Sequence, residues 1–268
     1  MISILVRSAD GTVLASTTHS EEAWLSVDRV YQPGDVVRIS GAQHLKVRLD
    51  QSLPAGEVFL PDGSMTWTVP AGEHRLAYAP GLFDAPRHLI LAKALTEEEL
   101  TASRVLSCNP ADLRGGTDFF PHCTANVETR NEACFCARNV IDGILLNTFH
   151  GEWPFQSWGI GAREDAWCRL DLGRTVIAEK MALTLRADFP HDAYWTSGHV
   201  VLSDGTDLSF GLRKTADRQW ISLENREISW LRLERLVKSD DPSAYPALRQ
   251  WEIFGRDKAA GNHGGGTE

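Results

Sequence analysis

The chain has 268 residues, 43% hydrophobic and 24% charged, so it is long enough for one large or two modest domains with a real core. A net charge of −9, with Lys and Arg scattered along the chain, argues against a nucleic-acid surface and an anionic membrane surface. No apolar run approaches the roughly 20 residues of a membrane helix, and the N-terminus lacks a signal-peptide pattern. We therefore expect a cytoplasmic protein with no nucleic-acid and no membrane partner.

Residues 1–104 carry the pattern of an antiparallel β-sandwich. Short apolar runs, several of them alternating as in Leu45–Leu49, are separated by turn residues such as Asp10-Gly11. No crossover helix is predicted between these strands, and His74–Ala79 is predicted to be one of them. Thr96 followed by Glu99 forms a capping box, which predicts a short helix that ends this domain.

Residues 105–256 begin with a loop-rich stretch, with a short helix predicted near residues 134–140, and then return to strand patterns. Predicted strands include Trp167–Leu172, Val176–Arg186, Trp220–Leu223 and Ile228–Leu236. Residues 257–268 are Gly-rich and are predicted to be a disordered tail. The fold class predicted for the chain is therefore all-β, with two β-sandwich domains.

Four short motifs in the second half occur in a familiar order: Ala137–Gly143, Trp158, Trp167–Gly173 and Trp251–Gly255. They resemble the frame of the discoidin, or F5/8 type C, family, and the wider sequence is similar to uncharacterised bacterial discoidin-related proteins. The resemblance implies that residues 105–256 form a galactose-binding-like jelly roll. It also implies a ligand, most often a glycan, bound by loops at one end of that sandwich.

Many bacterial members of that family hold a structural Ca²⁺ near the Asp-Gly turn. By position, the resemblance implies that Asp142, Thr148 and Glu252 are the calcium ligands, and oxygen ligands suit this ion. The sequence departs from the family pattern, because Ile144 replaces a second acid and Thr148 lies one residue late. The alternative for Asp142 is a turn-forming residue before glycine.

Five cysteines, an odd number, favour reduced thiols over a disulfide framework. Cys134 and Cys136, with Cys123 and His122, suggest a zinc site, but the C-x-C spacing is unusual and no second pair follows. Buried thiols are the interpretation we favour. No other cofactor is predicted.

Three stretches combine polar and aromatic residues in the way that sugar-binding loops do: His122–Glu132, His150–Trp158 and Arg186–Trp195. A sugar ring needs an aromatic platform and planar polar partners around its edge. The predicted ligand-binding residues are His122, Glu128, Arg130, His150, Glu152, Trp153, Gln156, Arg186, Asp188, His191, Asp192 and Trp195.

The remaining aromatics in strand patterns are predicted to be core residues. Trp158 stands at the core position of the resembled family, and Trp24, Trp67 and Tyr78 lie in predicted strands of the first half. For Trp153 the alternatives of core residue and binding residue are both open.

Three functions remain open, and a non-catalytic carbohydrate-binding protein is the first. The second is an enzyme acting on a sugar derivative, with His150, Glu152, His191 and Asp192 as metal ligands or as an acid/base set. The third is an assembly protein that forms a homo-oligomer through the N-terminal sandwich. No motif of a nucleotide-binding, serine-hydrolase or zinc-protease site occurs, which favours the first.

Overall fold

A computed structural model describes residues 1–189 and 191–258 of the chain. The structure is all-β, which confirms the predicted fold class. Its strands form three antiparallel sheets, and its helices are all short. Among the residues described, no helix combines the length and the apolar character needed to cross a membrane.

The first half is a sandwich of two four-stranded sheets, with the strand orders β2-β1-β4-β7 and β3-β8-β5-β6. The strands are β1 (Ile2–Arg7), β2 (Val13–His19), β3 (Glu22–Asp28), β4 (Val36–Ser40), β5 (His44–Arg48), β6 (Gly56–Phe59), β7 (Ser64–Thr68) and β8 (Arg87–Ala94). Alternate side chains of β1, β3 and β4 are buried, as the alternating sequence predicts. These side chains form the core between the two sheets.

Two short helices and a 3₁₀ segment complete the first half. The strand predicted at His74–Ala79 is wrong, because Gly72–Ala77 forms a 3₁₀ helix that starts at Gly72 with a φ of 56°. Helix α1 spans Gly81–Asp84. Helix α2 spans Glu97–Thr101, and the predicted capping box is present between Thr96 and Glu99.

The second half is one eight-stranded sheet whose main order is β11-β16-β12-β15-β13-β14, with β10 added beside β12 and β9 beside β16. The strands are β9 (Arg104–Val105), β10 (His122–Ala125), β11 (Trp158–Gly159), β12 (Cys168–Leu185), β13 (Trp195–Leu202), β14 (Asp207–Gly211), β15 (Gln219–Lys238) and β16 (Ala247–Asp257). Where the sequence predicted pairs of short strands, β12 and β15 each run continuously through register shifts. Such shifts bend a strand without ending it.

The predicted helix near residues 134–140 is two 3₁₀ turns, Ala133–Phe135 and Ala137–Ile141. The second turn packs on β16, and β16, which pairs with β12 along most of its length, is mostly buried. Most of the buried apolar side chains of residues 106–253 form a second core. Ala111, Phe119, Ala133 and Cys136 pack instead into the first core, so this loop region contributes to both cores. The domain boundary near residue 104 stays a prediction.

The core aromatics largely follow the sequence pattern. Trp67, Tyr78 and Trp158 are buried, as predicted. The prediction that Trp24 is a core residue is wrong, because its side chain on β3 is 44% exposed. The guanidinium carbon of Arg48 lies over this ring, 5.4 Å from the ring centroid.

The end of β16 is fixed by an ion network. Asp257, predicted to belong to the tail, is the last strand residue, and its carboxylate pairs with Arg104 and Arg174. Burial acts to raise the pKa of Asp257, but the two guanidinium groups outweigh it and hold the pKa below its usual range. The tail prediction for residues 259–268 lies outside the described residues.

We predict that Asp257→Ala lowers the free energy of unfolding by about 3 kcal/mol, because it leaves the partly buried Arg174 without a carboxylate and Arg104 with Glu57 alone. Urea denaturation measures the change. Asp165→Ala, which breaks an exposed pair with Arg163, is the matched control and should change stability little. Equal effects of the two substitutions would contradict the structural role given to Asp257.

Candidate functional site

All three of the predicted polar and aromatic stretches meet at one end of the second sandwich, where they line a cavity of about 310 Å³. We call it the loop cavity. Five of the predicted ligand-binding residues line it, and they are Arg130, His150, Arg186, His191 and Asp192. Phe135 and Tyr245 line it as well. The convergence is produced by the sheet, since β12 ends just before Arg186 and β16 begins just after Tyr245.

Asp188 holds two histidines at the cavity. Its Oδ2 lies 2.6 Å from Nδ1 of His150, and its Oδ1 lies 3.4 Å from Nδ1 of His191. Burial acts to raise the pKa of Asp188, but the hydrogen bonds from the histidines outweigh it, so the pKa lies below its usual range. A charged Asp188 therefore orients both rings by their Nδ1 atoms, which leaves the Nε2 atoms for a ligand.

Arg186 and Asp192 form a buried ion pair behind the histidines. Arg186 donates from Nε to Oδ2 of Asp192 at 2.7 Å and also donates to the second carboxylate oxygen. A third hydrogen bond, of 2.8 Å, reaches the carbonyl of Tyr245. Because these groups satisfy one another, the pair fixes the position of the Tyr245 loop and contributes a rigid wall.

Exposed side chains form the accessible part of the cavity. Tyr245 is 57% exposed at its rim. Phe149, 54% exposed, stacks on His150 with ring centroids 5.2 Å apart. Arg130 is also exposed; it pairs with Glu132, and its guanidinium carbon lies 5.2 Å from the ring centroid of Phe135. The cavity thus combines flat apolar faces with planar polar groups.

Sequence reasoning missed three of these aromatics: Phe135, Phe149 and Tyr245. Phe149 had a usable signal, because it directly precedes His150 in a predicted loop. Tyr245 lies in the polar stretch between β15 and β16, and only the fold brings that stretch beside Arg186.

Trp153 and Glu152 lie apart from the loop cavity. The backbone N–H of Trp153 donates to the carbonyl of Leu76 at 3.1 Å, and its side chain lines a small space with Pro54 and Tyr78 of the first half. Of the two alternatives for Trp153, the structure therefore supports packing against the first half. Glu152 is exposed and does not line the cavity.

Trp195 is a core residue instead of the predicted binding residue. Its side chain has 0% exposure, and its ring packs 6.4 Å from that of Trp158, centroid to centroid. The strand β13 begins at Trp195, so alternation turns this side chain inward.

His122 and Glu128 also have structural roles in place of the predicted binding roles. Nδ1 of His122 lies 2.6 Å from Oδ1 of Asp112, and both side chains are buried. Glu128 accepts hydrogen bonds from Nε of Arg114 at 2.7 Å and from the backbone N–H of Ala137 at 2.8 Å. Neither residue lines the loop cavity.

Gln156 was predicted to bind a ligand, but it belongs to a buried hydrogen-bond network around Asp142. The Asp142 carboxylate accepts hydrogen bonds from Gln156, from Gln250 at 2.6 Å and from the fully buried Arg249 at 3.2 Å. It also accepts from the backbone N–H of Ile144 at 2.9 Å, which is the turn role considered for this residue.

These contacts do not fit the calcium site implied by the resemblance. The Asp142 oxygens face a guanidinium and two amides, and Glu252 is engaged by both Nε and Nη2 of Arg218 at 2.6 and 3.0 Å. Thr148 is exposed. Within residues 1–189 and 191–258, no group of three or more His, Cys, Asp or Glu side chains is placed to hold a metal ion.

All five cysteines are free thiols. Burial raises the pKa of Cys136 to about 12 and that of Cys134 to about 11. The arrangement agrees with the preferred interpretation of buried thiols.

Comparison with known proteins gives structural likeness only. No family model matches the chain, and no curated protein matches it. The chain is similar to a chitosan-binding module of a Paenibacillus sp. IK-5 chitosanase/glucanase, with 18% identity, a TM-score of 0.39, and 57% of this chain and 99% of that one covered.

Two further solved structures are similar. One is a family 32 carbohydrate-binding module from C. perfringens NanJ in complex with galactose, with 10% identity, a TM-score of 0.42, and 57% of this chain and 99% of that one covered. The other is a Streptococcus pneumoniae fucose binding module, with 10% identity, a TM-score of 0.41, and 57% and 96% covered. Likeness at this level does not define the ligand of the present chain.

Trp195→Ala is expected to lower the free energy of unfolding by about 3–5 kcal/mol, because it leaves a large cavity in the second core. Chemical denaturation measures this loss. Trp220 is 52% exposed and provides the matched tryptophan control. Trp220→Ala should lower the free energy of unfolding much less than Trp195→Ala does. A Trp195→Ala protein of unchanged stability would contradict the core assignment.

The His122–Asp112 contact predicts a pH dependence. Burial acts to lower the pKa of His122, but the hydrogen bond to Asp112 outweighs it and raises the pKa above 6.5. The folded state therefore favours the protonated ring, so this contact stabilises fully below pH 6.5 and is lost as the pH rises through the raised pKa.

The stability difference between the wild type and His122→Gln should thus shrink as the pH rises from about 6 to about 9. Urea denaturation at several pH values measures it, with His19→Gln, at an exposed strand position, as the control. A difference that grows with pH over this range would show that the neutral ring is the stabilising form.

Proposed function

We propose that the chain binds a carbohydrate in the loop cavity. The observation that carries the proposal is the convergence of His150, His191 and Arg130 with the exposed ring of Tyr245 around one cavity. Phe149 lies beside the cavity, where it stacks on His150. These residues come from separate segments, and the fold brings them to one end of the sandwich.

The chemistry of these groups suits a sugar. A pyranose presents apolar C–H groups on its faces and hydroxyl groups around its edge, so it pairs an aromatic surface with planar donors and acceptors. The histidine Nε2 atoms and the Arg130 guanidinium supply the polar groups, and Tyr245 supplies an exposed ring. The volume of about 310 Å³ is at the lower end of the range for small-ligand sites.

The residues divide into supporting and contacting groups. Arg186 pairs with Asp192, and Asp188 holds the two histidines, so these three residues of one loop position the cavity wall. His150, Tyr245 and Arg130 are exposed and are proposed to contact the ligand. This division decides which substitutions test binding, because loss of Arg186 would strand the buried Asp192 carboxylate.

A second candidate function is an acid/base enzyme acting on a sugar derivative. The observation that favours it is the 2.6 Å contact between Nδ1 of His150 and Asp188, which leaves Nε2 of the ring as a general base. This set differs from the one the sequence suggested, because Asp192 is paired with Arg186 and Glu152 lies outside the cavity. Homo-oligomer formation through the first sandwich stays a prediction.

If the cavity binds sugars, Tyr245→Ala and His150→Ala should each weaken binding about tenfold or more, through loss of a ring surface and of a hydrogen-bonding group. A glycan array identifies the sugar, and calorimetry then measures the affinity of each variant. Trp220→Ala, which removes an exposed ring elsewhere, is the control and should bind like the wild type. Unchanged affinity in both cavity variants would place the sugar somewhere else.

Asp188→Asn separates the two candidate functions. If the protein only binds sugars, the side-chain oxygen of the introduced asparagine can still accept a hydrogen bond from Nδ1 of His150. The affinity for the sugar should then change only a few-fold. For an enzyme, loss of the charge behind the imidazole should reduce turnover about a hundredfold or more. The measurement pairs calorimetry with product analysis on each glycan that scores on the array. No turnover by the wild type on any bound glycan would exclude the enzymatic candidate for those sugars.

A further inference from the structure

A second cleft lies between the first sandwich and the loop region that follows it. Residues 68–78 form one side and residues 113–138 form the other. Two adjoining cavities, of about 400 and 530 Å³, share His74, Arg114 and Arg138 as wall residues. We call them together the junction cleft. It shares no lining residue with the loop cavity, so the two sites are separate.

Arg138 is the feature that distinguishes this cleft. Its side chain is 2% exposed, and it donates to the carbonyls of Ala77 at 3.0 Å and Pro110 at 2.9 Å. Its Nε has no hydrogen-bond partner, and no carboxylate of the described chain lies within 4.0 Å of its guanidinium. A buried guanidinium is costly when no carboxylate contacts it, so a ligand carboxylate at Arg138 would supply a contact that the described chain does not.

The acids that act on Arg138 through space are already engaged elsewhere. Asp112 accepts from His122 and from the backbone N–H of Cys123, and Asp142 accepts from Arg249 and Gln250. A ligand that enters the cleft therefore meets a cation whose charge no adjacent side chain neutralises.

The rest of the cleft limits the kind of anion. Arg114 is paired with Glu128 and Glu73, so the rim carries acids as well as bases. Among the described residues that line the cleft, Arg138 is therefore the buried cation without a carboxylate contact. An anion with one negative charge would neutralise it. Val69 and Leu113 give the walls an apolar surface, and the guanidinium carbon of Arg138 lies 4.3 Å from the ring centroid of Tyr78. A small apolar body therefore fits beside the charged group.

We propose that the junction cleft binds a small organic monocarboxylate, with the carboxylate directed at Arg138 and the apolar body against Val69 and Leu113. The site is independent of carbohydrate binding at the loop cavity. Because its walls come from both halves of the chain, an occupied cleft also strengthens the contact between them.

Benzoate and benzamide form a matched pair of probes for the full chain, since they share shape and differ in charge. Calorimetry should give an affinity for benzoate about tenfold or more above that for benzamide, and benzoate should raise the melting temperature in a saturable way. Equal affinities, or no binding of benzoate, would overturn the proposal. Binding of inorganic phosphate in place of benzoate would overturn the choice of an organic anion.

Gly116→Trp tests the location without touching Arg138. A Cβ built at Gly116 meets no atom within 4 Å, and Gly116 lines the cleft, so a side chain can be added at this position and its ring can occupy the cleft. Benzoate affinity should fall about tenfold or more as the ring fills the space. Gly211→Trp is the control, because Gly211 has equally open surroundings on the edge strand β14 and lies outside the cleft. Full benzoate affinity in the Gly116→Trp protein would place the ligand elsewhere.

Arg138→Met tests the charge itself and should abolish the preference for benzoate over benzamide. If this variant does not fold, the Gly116→Trp result decides the proposal. Glycans identified at the loop cavity should bind the Gly116→Trp protein normally, so failure at one site can be told from failure at the other.

Discussion

The carboxylate of Asp142 connects three segments that are distant in sequence: the turn at residues 139–144, the loop around Gln156 and the strand β16. Arg249, on β16, is fully buried and has this carboxylate as its charge partner, while its Nε donates to the carbonyl of Leu146 at 2.9 Å. Loss of any one of these donors would remove a hydrogen bond from the buried carboxylate. The loops that reach the cavity at His150 start from this anchored segment, so their position depends on one buried charge.

The two sites use arginine in opposite ways. At the loop cavity, Arg186 pairs with the buried carboxylate of Asp192 on the same loop, so its charge is neutralised and the pair holds the cavity wall. At the junction cleft, Arg138 is held by backbone carbonyls, which orient a guanidinium without cancelling its charge. The difference lies in whether a carboxylate or a carbonyl accepts the hydrogen bonds, and it separates a structural cation from one available to a ligand.

Local patterns determined what the sequence could predict. Alternation located the strands of the first half, and Thr96 with Glu99 located α2, because both signals act within a few residues. The sequence could not show that β12 and β15 are each continuous, because the polar residues at their register shifts have the same pattern as a turn. Trp195 and Gln156 were predicted to bind a ligand because polar and aromatic residues adjoined them, but long-range packing on Trp158 and Asp142 decided their roles. Tyr245 reaches the cavity only through sheet topology.

The pairing of β9 with β16 has a consequence for the order of folding. Val105 and Phe254 are paired, so β9, which opens the second sandwich, pairs with β16, the last strand of the described residues. Because β16 also lies between β11 and β12, that sheet stays incomplete until β16 has been synthesised. The strands of the first sandwich have no such requirement and can pair during synthesis. The loop region contributes to both cores, so its packing is complete only after the second sheet has formed.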